Sequence, residues 1–265
     1  MIDGFSFKDV YGIGDLLQIM QCLRSEGGCP WDREQTHESI KKNLIEETYE
    51  VIEAINQQDK ALLCEELGDV LMQVVFHAQM EAEEGSFTFE NVADGVCKKL
   101  IERHPHVFGE VEVTGSEEVL RNWDDIKKRS KGQTSQTETM LSVPRELPAL
   151  MRATKVQKKA AKVGFDWPDI SGAVDKLYEE TSELSGAIES GSEEEIAEEL
   201  GDLLFSAVNV SRFVGCDAEE ALTAATDKFM RRFACVEEKA RERGLKLEEL
   251  SLSELDALWD EAKLD

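Results

Sequence analysis

The sequence predicts an all-α protein in which one kind of helical bundle occurs twice in tandem. Apolar residues recur mostly at spacings of three and four, the period of a helix with one buried face. Strict alternation of apolar and polar residues, which marks strands, is nearly absent, and Val111 to Thr114 is the only strand-like stretch. An acidic segment in the first half, LIEETYEVIEAI, returns in the second half as LYEETSELSGAI. Together these observations indicate tandem duplicated helical-bundle domains.

The repeat can be aligned residue by residue. Laying Glu46 to Val75 over Glu179 to Val208 without a gap, at an offset of 133, matches 13 of 30 positions. Unrelated sequences of average composition would match at roughly two or three positions. The repeat continues at offsets of 129 and 136, which pair Lys99 and Arg103 with Lys228 and Arg232, and Trp123 to Lys127 with Trp259 to Lys263. The changes of offset place the length differences in loops.

The domain boundaries follow from composition. The stretch SKGQTSQTETMLSVP has Gly, Ser, Thr and Gln where periodic apolar residues would continue a helix. We therefore expect an N-terminal domain over residues 1–130, a linker over 131–144 and a C-terminal domain over 145–265, with four or five helices in each domain.

Helix starts and turns are also readable. Ser192 with Glu195, and Asp217 with Glu220, match a capping residue followed by glutamate three positions later. The stretches NQQD at 56–59 and SGS at 190–192 read as short turns between antiparallel helices. The motif HPH at 104–106 reads as a loop.

Composition excludes several classes of function. The 265 residues carry a formal net charge of −26, which repels nucleic-acid polymers and anionic membranes. No run of 18 apolar residues occurs, so we expect no membrane span. The start has no basic segment followed by an apolar one, and we expect a cytoplasmic protein. The six cysteines form no C-x-x-C pair, so neither a zinc site nor a disulfide scaffold is expected.

The repeated carboxylates are the main candidate for chemistry. Each copy contains E-E-x-x-E followed by E-x-x-D, and each spacing puts two carboxylates on one face of a helix. If the two helices pack as an antiparallel pair, four carboxylates converge, and each close pair repels by about 4 kcal/mol at an effective dielectric of 20. Acidic helix faces are often merely solvated. Because the pattern occurs twice at matched spacing, we favour a cation site, and the all-oxygen ligands suit Mg²⁺, with Mn²⁺ as a substitute.

Glycines and basic residues add to this site. Gly68 and Gly201 precede the matched aspartates, although glycine inside a helix costs about 1 kcal/mol relative to alanine. Either a close helix crossing or room for a metal-bound phosphate explains them. The basic and aromatic candidates for phosphate and base contacts, which surface pairing, packing or a subunit interface explain equally well, are Lys228, Arg232, Trp259, Lys263, Lys155 and Lys159.

At this point the chain resembles a known family. The carboxylate pattern, together with GCPWDREQTH, RHPHVFG, LPALMRATKVQKKAAKVGFDW and DKFMRRF, is similar to the MazG nucleoside triphosphate pyrophosphohydrolases in their two-copy form. The resemblance covers nearly the whole chain. It implies an all-α fold of the kind shared with dimeric dUTPases, a homodimer, and Mg²⁺-dependent hydrolysis of a nucleoside triphosphate to the monophosphate and pyrophosphate. We expect broad base specificity, typical of enzymes that clean the nucleotide pool.

The resemblance also implies roles for individual residues. The metal-ligand positions of the family fall on Glu47, Glu50, Glu66 and Asp69 in the first copy, and on Glu180, Glu183, Glu199 and Asp202 in the second. The nucleotide-contacting positions fall on Lys228, Arg232, Trp259 and Lys263. Glu179 or Glu180 is the candidate base that activates water. We expect the second copy to be the hydrolytic one, because the first copy lacks the lysine-rich helix.

Two other functions fit parts of the sequence. A non-catalytic acidic helical module would use the same carboxylates to hold structural metal and would bind a partner. A carboxylate-bridged di-iron protein also uses helical glutamates, but it normally needs E-x-x-H on two helices, and this sequence contains that spacing only once, at Glu34 and His37.

Overall fold

The computed structural model describes residues 5–264, and all the regular secondary structure in that range is helical. The fold class predicted from the sequence is confirmed. Val111 to Thr114, the strand-like stretch, is irregular backbone. The ends of the expected domains at residues 1 and 265 lie outside the described residues.

The chain divides into two compact units between Lys127 and Lys128. The helices of the first unit are α1 (Ile13–Arg24), α2 (Pro30–Glu34), α3 (His37–Gln57), α4 (Lys60–Glu83), α5 (Phe89–Arg103), α6 (Pro105–Phe108) and α7 (Ser116–Ser130), which ends just past the division. Those of the second unit are α8 (Gln136–Leu141), α9 (Ala149–Ala161), α10 (Ile170–Ser190), α11 (Glu193–Phe213), α12 (Ala218–Glu242) and α13 (Leu252–Ala262). A short 3₁₀ turn, Leu247–Glu249, precedes α13.

The central hairpin of each unit repeats at the predicted offset. Helix α3 and helix α10 begin and end 133 positions apart, and α4 and α11 begin 133 positions apart. Each first helix ends at a residue in the left-handed conformation, Gln58 with φ of 57° and Gly191 with φ of 76°. Because the first helix of each hairpin ends with the same left-handed C-cap, the two copies have similar backbone conformations at this turn as well as similar sequences.

The predicted helix starts are confirmed. The side chain of Ser192 accepts a hydrogen bond from the backbone N–H of Glu195, and that of Asp217 accepts from Glu219 and Glu220. The short turns at 56–59 and 190–192 are present as expected, each joining two long helices.

Two expected irregular segments contain helix. The predicted loop HPH is wrong in part, because Pro105 opens the one-turn helix α6, where its fixed φ suits the first helical position. The segment 131–144, expected as a linker, contains α8, whose N-terminus is capped by the Ser135 side chain and the Glu138 carboxylate. Reciprocal capping of this kind stabilises short helices that apolar spacing does not predict.

The two units bury their apolar residues in different places. In the first unit, Met20, Ile40, Val75, Phe76 and Met80 form a cluster shared by α1, α3 and α4. In the second unit, the buried cluster lies between α12 and α13. In the second unit, α9, α10 and α11 are the counterparts of α1, α3 and α4 in chain order. These three helices line a cavity.

No helix within residues 5–264 is long and apolar enough to cross a membrane.

Candidate functional site

The second unit brings three of its predicted carboxylates together on the α10–α11 hairpin. Glu180 on α10, and Glu199 and Asp202 on α11, each offer an oxygen, and these oxygens lie within 4.8 Å of one another. Glu180 is only 4% exposed. Glu199 and Asp202 share a face because they are three residues apart on one helix. An oxygen-only set at this spacing fits a hard divalent cation such as Mg²⁺.

The fourth predicted carboxylate, Glu183, belongs to the same electrostatic group. Burial raises the pKa of Glu183, Lys176 opposes that rise, and Glu180 adds to it through charge repulsion and a hydrogen bond. Burial also raises the pKa of Glu199, and the charges of Glu183, Glu180 and Asp202 raise it further. These carboxylates therefore repel one another in the metal-free protein.

A positively charged lysine side chain, which was not predicted from the sequence, lies beside this cluster. The Lys176 Nζ atom is 2.8 Å from an oxygen of Glu179 and 2.6 Å from an oxygen of Glu180. Hydrogen bonds to these two carboxylates raise the pKa of Lys176. Lys176 lies three residues before Glu179 and four before Glu180, and this spacing alone could have predicted the ion pairs, because it places the side chains on one helix face. The matched residue of the first copy is Asn43, so this ion pair belongs to the second unit.

The first unit brings the matched carboxylates together without the lysine. Oxygens of Glu47, Glu66 and Asp69 lie within 4.8 Å of one another on the α3–α4 hairpin. Burial raises the pKa of Glu47, and a hydrogen bond with Glu50 and the charges of Asp69, Glu50 and Glu66 raise it further. Burial is also the main cause that raises the pKa of Glu66. Both hairpins can therefore gather negative charge around a cation.

A cavity of about 720 Å³ opens beside the carboxylates of the second unit. Glu180, Asp202 and Lys176 line one part of it. Its other walls come from α8, α9, the loop before α10, the start of α10, and α11. Their lining residues are Met140, Val156, Gln157, Ala160, Gly164, Phe165, Asp166, Trp167, Ala173, Phe205, Ser206, Asn209 and Arg212. Ligand pockets are typically of this size and combine apolar walls with a few polar groups.

In the first unit, larger side chains occupy the matched positions. At the offset of 133, Ala173 and Asn209 on the cavity wall correspond to Ile40 and Phe76. Ile40 is 2% exposed and Phe76 is 5% exposed, and both belong to the apolar cluster of the first unit. The first unit therefore places packed core where the second unit has cavity wall.

The predicted basic and aromatic residues do not line this cavity in the described part of the chain. Trp259 packs on Phe229, with ring centroids 5.1 Å apart, and Lys263 donates to Asp260 at 2.8 Å. Lys228 and Arg232 lie on α12, which packs mainly against α13 and α9. The lysines of α9 that the sequence singled out, Lys155 and Lys159, neighbour the lining residues Val156 and Ala160 along the helix. Their substrate contacts stay a prediction.

The first unit does assemble its matched aromatic group. The Arg103 guanidinium lies 5.0 Å from the centre of the Trp123 ring, and the Lys127 Nζ atom lies 5.1 Å from it. These cation–π contacts join α5 to α7 and use the residues that match Arg232, Trp259 and Lys263. In the first unit these basic side chains therefore contact the Trp123 ring.

The two glycines before the aspartates face open space. A methyl group built at Gly68 or Gly201 meets nothing within 4 Å among the described residues. A close helix crossing within the described chain therefore does not explain either glycine. The alternative, room for a group bound beside the aspartate, stays a prediction.

Replacing Gly201 with alanine tests that alternative. We expect the unfolding free energy to rise by about 1 kcal/mol in urea titrations, because alanine favours the helix, while turnover falls because the methyl group occupies the space beside Asp202. Gly68→Ala is the matched control, with a similar gain in stability and unchanged turnover. Full turnover by Gly201→Ala would mean that nothing needs that space.

Comparisons with known proteins agree with the duplication. The model of the MazG nucleotide pyrophosphohydrolase domain matches residues 35–108 and again residues 171–236. A protein of Thermotoga maritima named nucleoside triphosphate pyrophosphohydrolase/pyrophosphatase MazG is 48% identical over 249 residues, covering 94% of each chain. A protein of Escherichia coli K12 named nucleoside triphosphate pyrophosphohydrolase is 46% identical over 254 residues, covering 95% of this chain and 97% of that one. Uncharacterized protein YabN of Bacillus subtilis is 50% identical over 92% of this chain and half of its own.

Proposed function

This chain belongs to the MazG nucleotide pyrophosphohydrolase family, and we propose that its second unit carries the hydrolytic site. The protein is a nucleoside triphosphate pyrophosphohydrolase, which releases the nucleoside monophosphate and pyrophosphate. One observation carries the proposal: the carboxylate cluster of the second unit opens onto a cavity, whereas the matched positions Ile40 and Phe76 of the first unit are packed core. A substrate needs both the cation and a place for its nucleoside.

The cation is proposed to be Mg²⁺, with Mn²⁺ as a substitute. Glu180, Glu199 and Asp202 would hold it, with Glu183 beside them, and their mutual repulsion favours binding. When bound, a divalent cation neutralises phosphate oxygens and lowers the pKa of water. In the first unit, Glu47, Glu50, Glu66 and Asp69 are proposed to hold a cation of the same kind without turning over substrate.

The proton of the attacking water goes to a glutamate in this scheme. Glu179 is exposed and lies outside the close carboxylate group, so it can accept a proton without giving up a cation ligand. Glu180 is the alternative acceptor, but its buried oxygens face the other carboxylates. Lys176, which bonds to both, orients them and supplies positive charge for a phosphate oxygen.

A homodimer would complete the site. On α12, Leu222, Phe229, Met230 and Phe233 are each at least 40% exposed, which leaves an apolar stripe uncovered in one chain. We propose that a second copy covers this stripe, and that Lys228, Arg232, Trp259 and Lys263 then serve the triphosphate at the assembled site, with Lys155 and Lys159 nearby on α9. Light scattering should give a dimer, and Met230→Glu should shift it to a monomer with reduced turnover. A fully active monomer would contradict this arrangement.

The pKa shifts predict how pH changes the effect of the cation. Raised carboxylate pKa values mean that the folded metal-free protein binds more protons than the unfolded chain above the ordinary value of 4.5. Its stability therefore falls as pH rises through the raised values. Because Mg²⁺ competes with these protons, we expect it to raise the melting temperature more at neutral pH than near pH 5. An equal rise at both pH values would place the ion elsewhere.

A turnover assay with several nucleoside triphosphates tests the proposed function. We expect activity with Mg²⁺, partial activity with Mn²⁺, none after EDTA, and turnover of all common bases, in keeping with a role in cleaning the nucleotide pool. Magnesium-dependent binding without turnover would favour the non-catalytic acidic module instead. Folding of the protein after EDTA treatment, followed by circular dichroism, separates loss of the cation from loss of structure.

A further inference from the structure

Among the described residues, three buried polar atoms that belong to cavity-lining side chains have no hydrogen-bond partner. They are Gln157 Oε1, Asn209 Oδ1 and Arg212 Nε. Buried polar atoms are nearly always paired in folded proteins, so three of them around one cavity need partners that the described residues do not supply, either ordered water or the polar groups of a ligand. We propose that these atoms recognise the nucleobase and favour adenine and cytosine over hypoxanthine and uracil. This inference rests on the proposed function of the second unit.

The amide of Gln157 is fixed as a hydrogen-bond acceptor. Its side chain is 5% exposed, and its Nε2 atom donates to the backbone oxygen of Phe205 at 2.8 Å. Rotating the amide by half a turn would place oxygen against oxygen, so Oε1 is the atom left without a partner. A ligand must therefore present a donor there.

Arg212 is fixed as a donor. Its two terminal nitrogens pair with the carboxylate of Asp166, one of them at 2.7 Å from Oδ2. This bidentate contact holds the guanidinium in one plane, and no acceptor for its Nε–H group lies within residues 5–264. With Asn209 Oδ1, in the amide orientation that the structure has, residues of the same cavity wall offer two acceptors and one donor.

The polar atoms lie away from the carboxylates along α11. Asp202 and Asn209 are seven residues apart, which is about 10 Å along a helix axis. The triphosphate end of a substrate would face the carboxylates and Lys176, so its base would reach the amides. Phe165, Trp167 and Phe205 also line the cavity, and aromatic rings can stack on any base.

The chemistry of the bases gives the direction of the preference. Adenine and cytosine carry an amine next to an unprotonated ring nitrogen, so they offer donors to the amides and an acceptor to Arg212 Nε. Hypoxanthine and uracil carry a carbonyl next to a ring N–H, so the carbonyl can accept from Arg212 Nε and the N–H can donate to one amide oxygen, which leaves the other amide oxygen without a donor. Stacking accepts every base, and one lost neutral hydrogen bond changes affinity by roughly tenfold at most. The result is broad turnover with a graded preference.

The test compares matched substrates in the full-length protein with Mg²⁺. We expect kcat/KM to be roughly tenfold higher for CTP than UTP and for ATP than ITP. Asn209→Leu, which keeps the branched shape of the side chain and removes the acceptor, should reduce both ratios to about twofold or less by the same reasoning. Asn209→Asp, which keeps an acceptor oxygen, should retain the preference. Binding of CMP and UMP, measured by calorimetry, should follow the same order without turnover.

Gln73 offers a matched control for Gln157. Gln73 is also buried with an unpaired side-chain oxygen, but it lies on α4 of the first unit. Gln157→Met should weaken the base preference, whereas Gln73→Met should leave it unchanged, and thermal unfolding should show that both variants are folded.

The outcomes separate the inference from the function it rests on. Equal kcat/KM for each pair in the wild-type protein, with pyrophosphate released, would overturn base recognition and leave the hydrolase intact. Loss of the preference in Asn209→Asp as well as in Asn209→Leu would also overturn it, because an acceptor oxygen is still present. Preferential binding of CMP over UMP without hydrolysis of any triphosphate would support recognition and refute the hydrolytic site.

Discussion

Asp202→Asn is expected to lower kcat by a factor on the order of a hundred to a thousand, the usual cost of removing one preorganised charge contact from a catalytic site. The oxygen of Asp202 lies within 4.8 Å of those of Glu180 and Glu199, and the residue lines the cavity. Asparagine keeps the shape of the side chain and removes the negative charge that holds the cation. Pyrophosphate release from ATP at saturating substrate measures the effect, and Glu183→Gln should give a similar loss.

The first unit supplies the matched control for this substitution. Asp69 corresponds to Asp202 and belongs to the same kind of cluster. Because the matched positions Ile40 and Phe76 are buried in core, Asp69→Asn and Glu50→Gln should leave most of the turnover. Activity that survives in Asp202→Asn and disappears in Asp69→Asn would reverse the assignment of the working unit.

Asn209→Phe is expected to lower kcat/KM by roughly a hundredfold, because even a small displacement of a bound substrate can cost that much. The substitution gives the second unit the residue that the first unit has at the matched position, Phe76. A phenyl group on the cavity wall takes space from the nucleoside and leaves the carboxylates unchanged. Initial rates over a range of ATP concentrations give kcat and KM separately.

Cation binding is the control for this second substitution. Mg²⁺ should raise the melting temperature of Asn209→Phe as much as that of the wild-type protein, since Glu180, Glu199 and Asp202 do not change. Wild-type kcat/KM in Asn209→Phe would mean that the nucleoside does not enter the cavity.

The sequence predicted the parts of this protein that depend on local spacing. The helices, the Ser192 and Asp217 caps and the duplicated hairpin could be read because capping and helical periodicity act over a few residues. The meeting of Glu180 with Glu199 and Asp202 could also be read, since a short turn between two helices leaves little choice of packing.

The cavity could not be predicted in this way. Its existence depends on the volumes of side chains that meet from α9, α10 and α11, such as Ala173 and Asn209 in place of Ile40 and Phe76. The ion pair between Arg212 and Asp166 joins residues 46 positions apart, and no local sequence pattern predicts it. Lys176 lies next to the acidic motif in the sequence, but its contact with the buried Glu180 could not be predicted, because a single lysine near glutamates usually forms only a solvent-exposed ion pair.

Product identification tests the central claim most directly. The wild-type protein and Asp202→Asn are incubated with ATP and with CTP, with and without Mg²⁺, and the phosphorus-containing products are separated. We predict monophosphate and pyrophosphate in equal amounts from the wild-type protein with Mg²⁺, and less of both products, by a factor on the order of a hundred or more, from Asp202→Asn in the same time. Diphosphate with inorganic phosphate, or equal product from both proteins, would contradict hydrolysis of the α–β bond at the second carboxylate cluster.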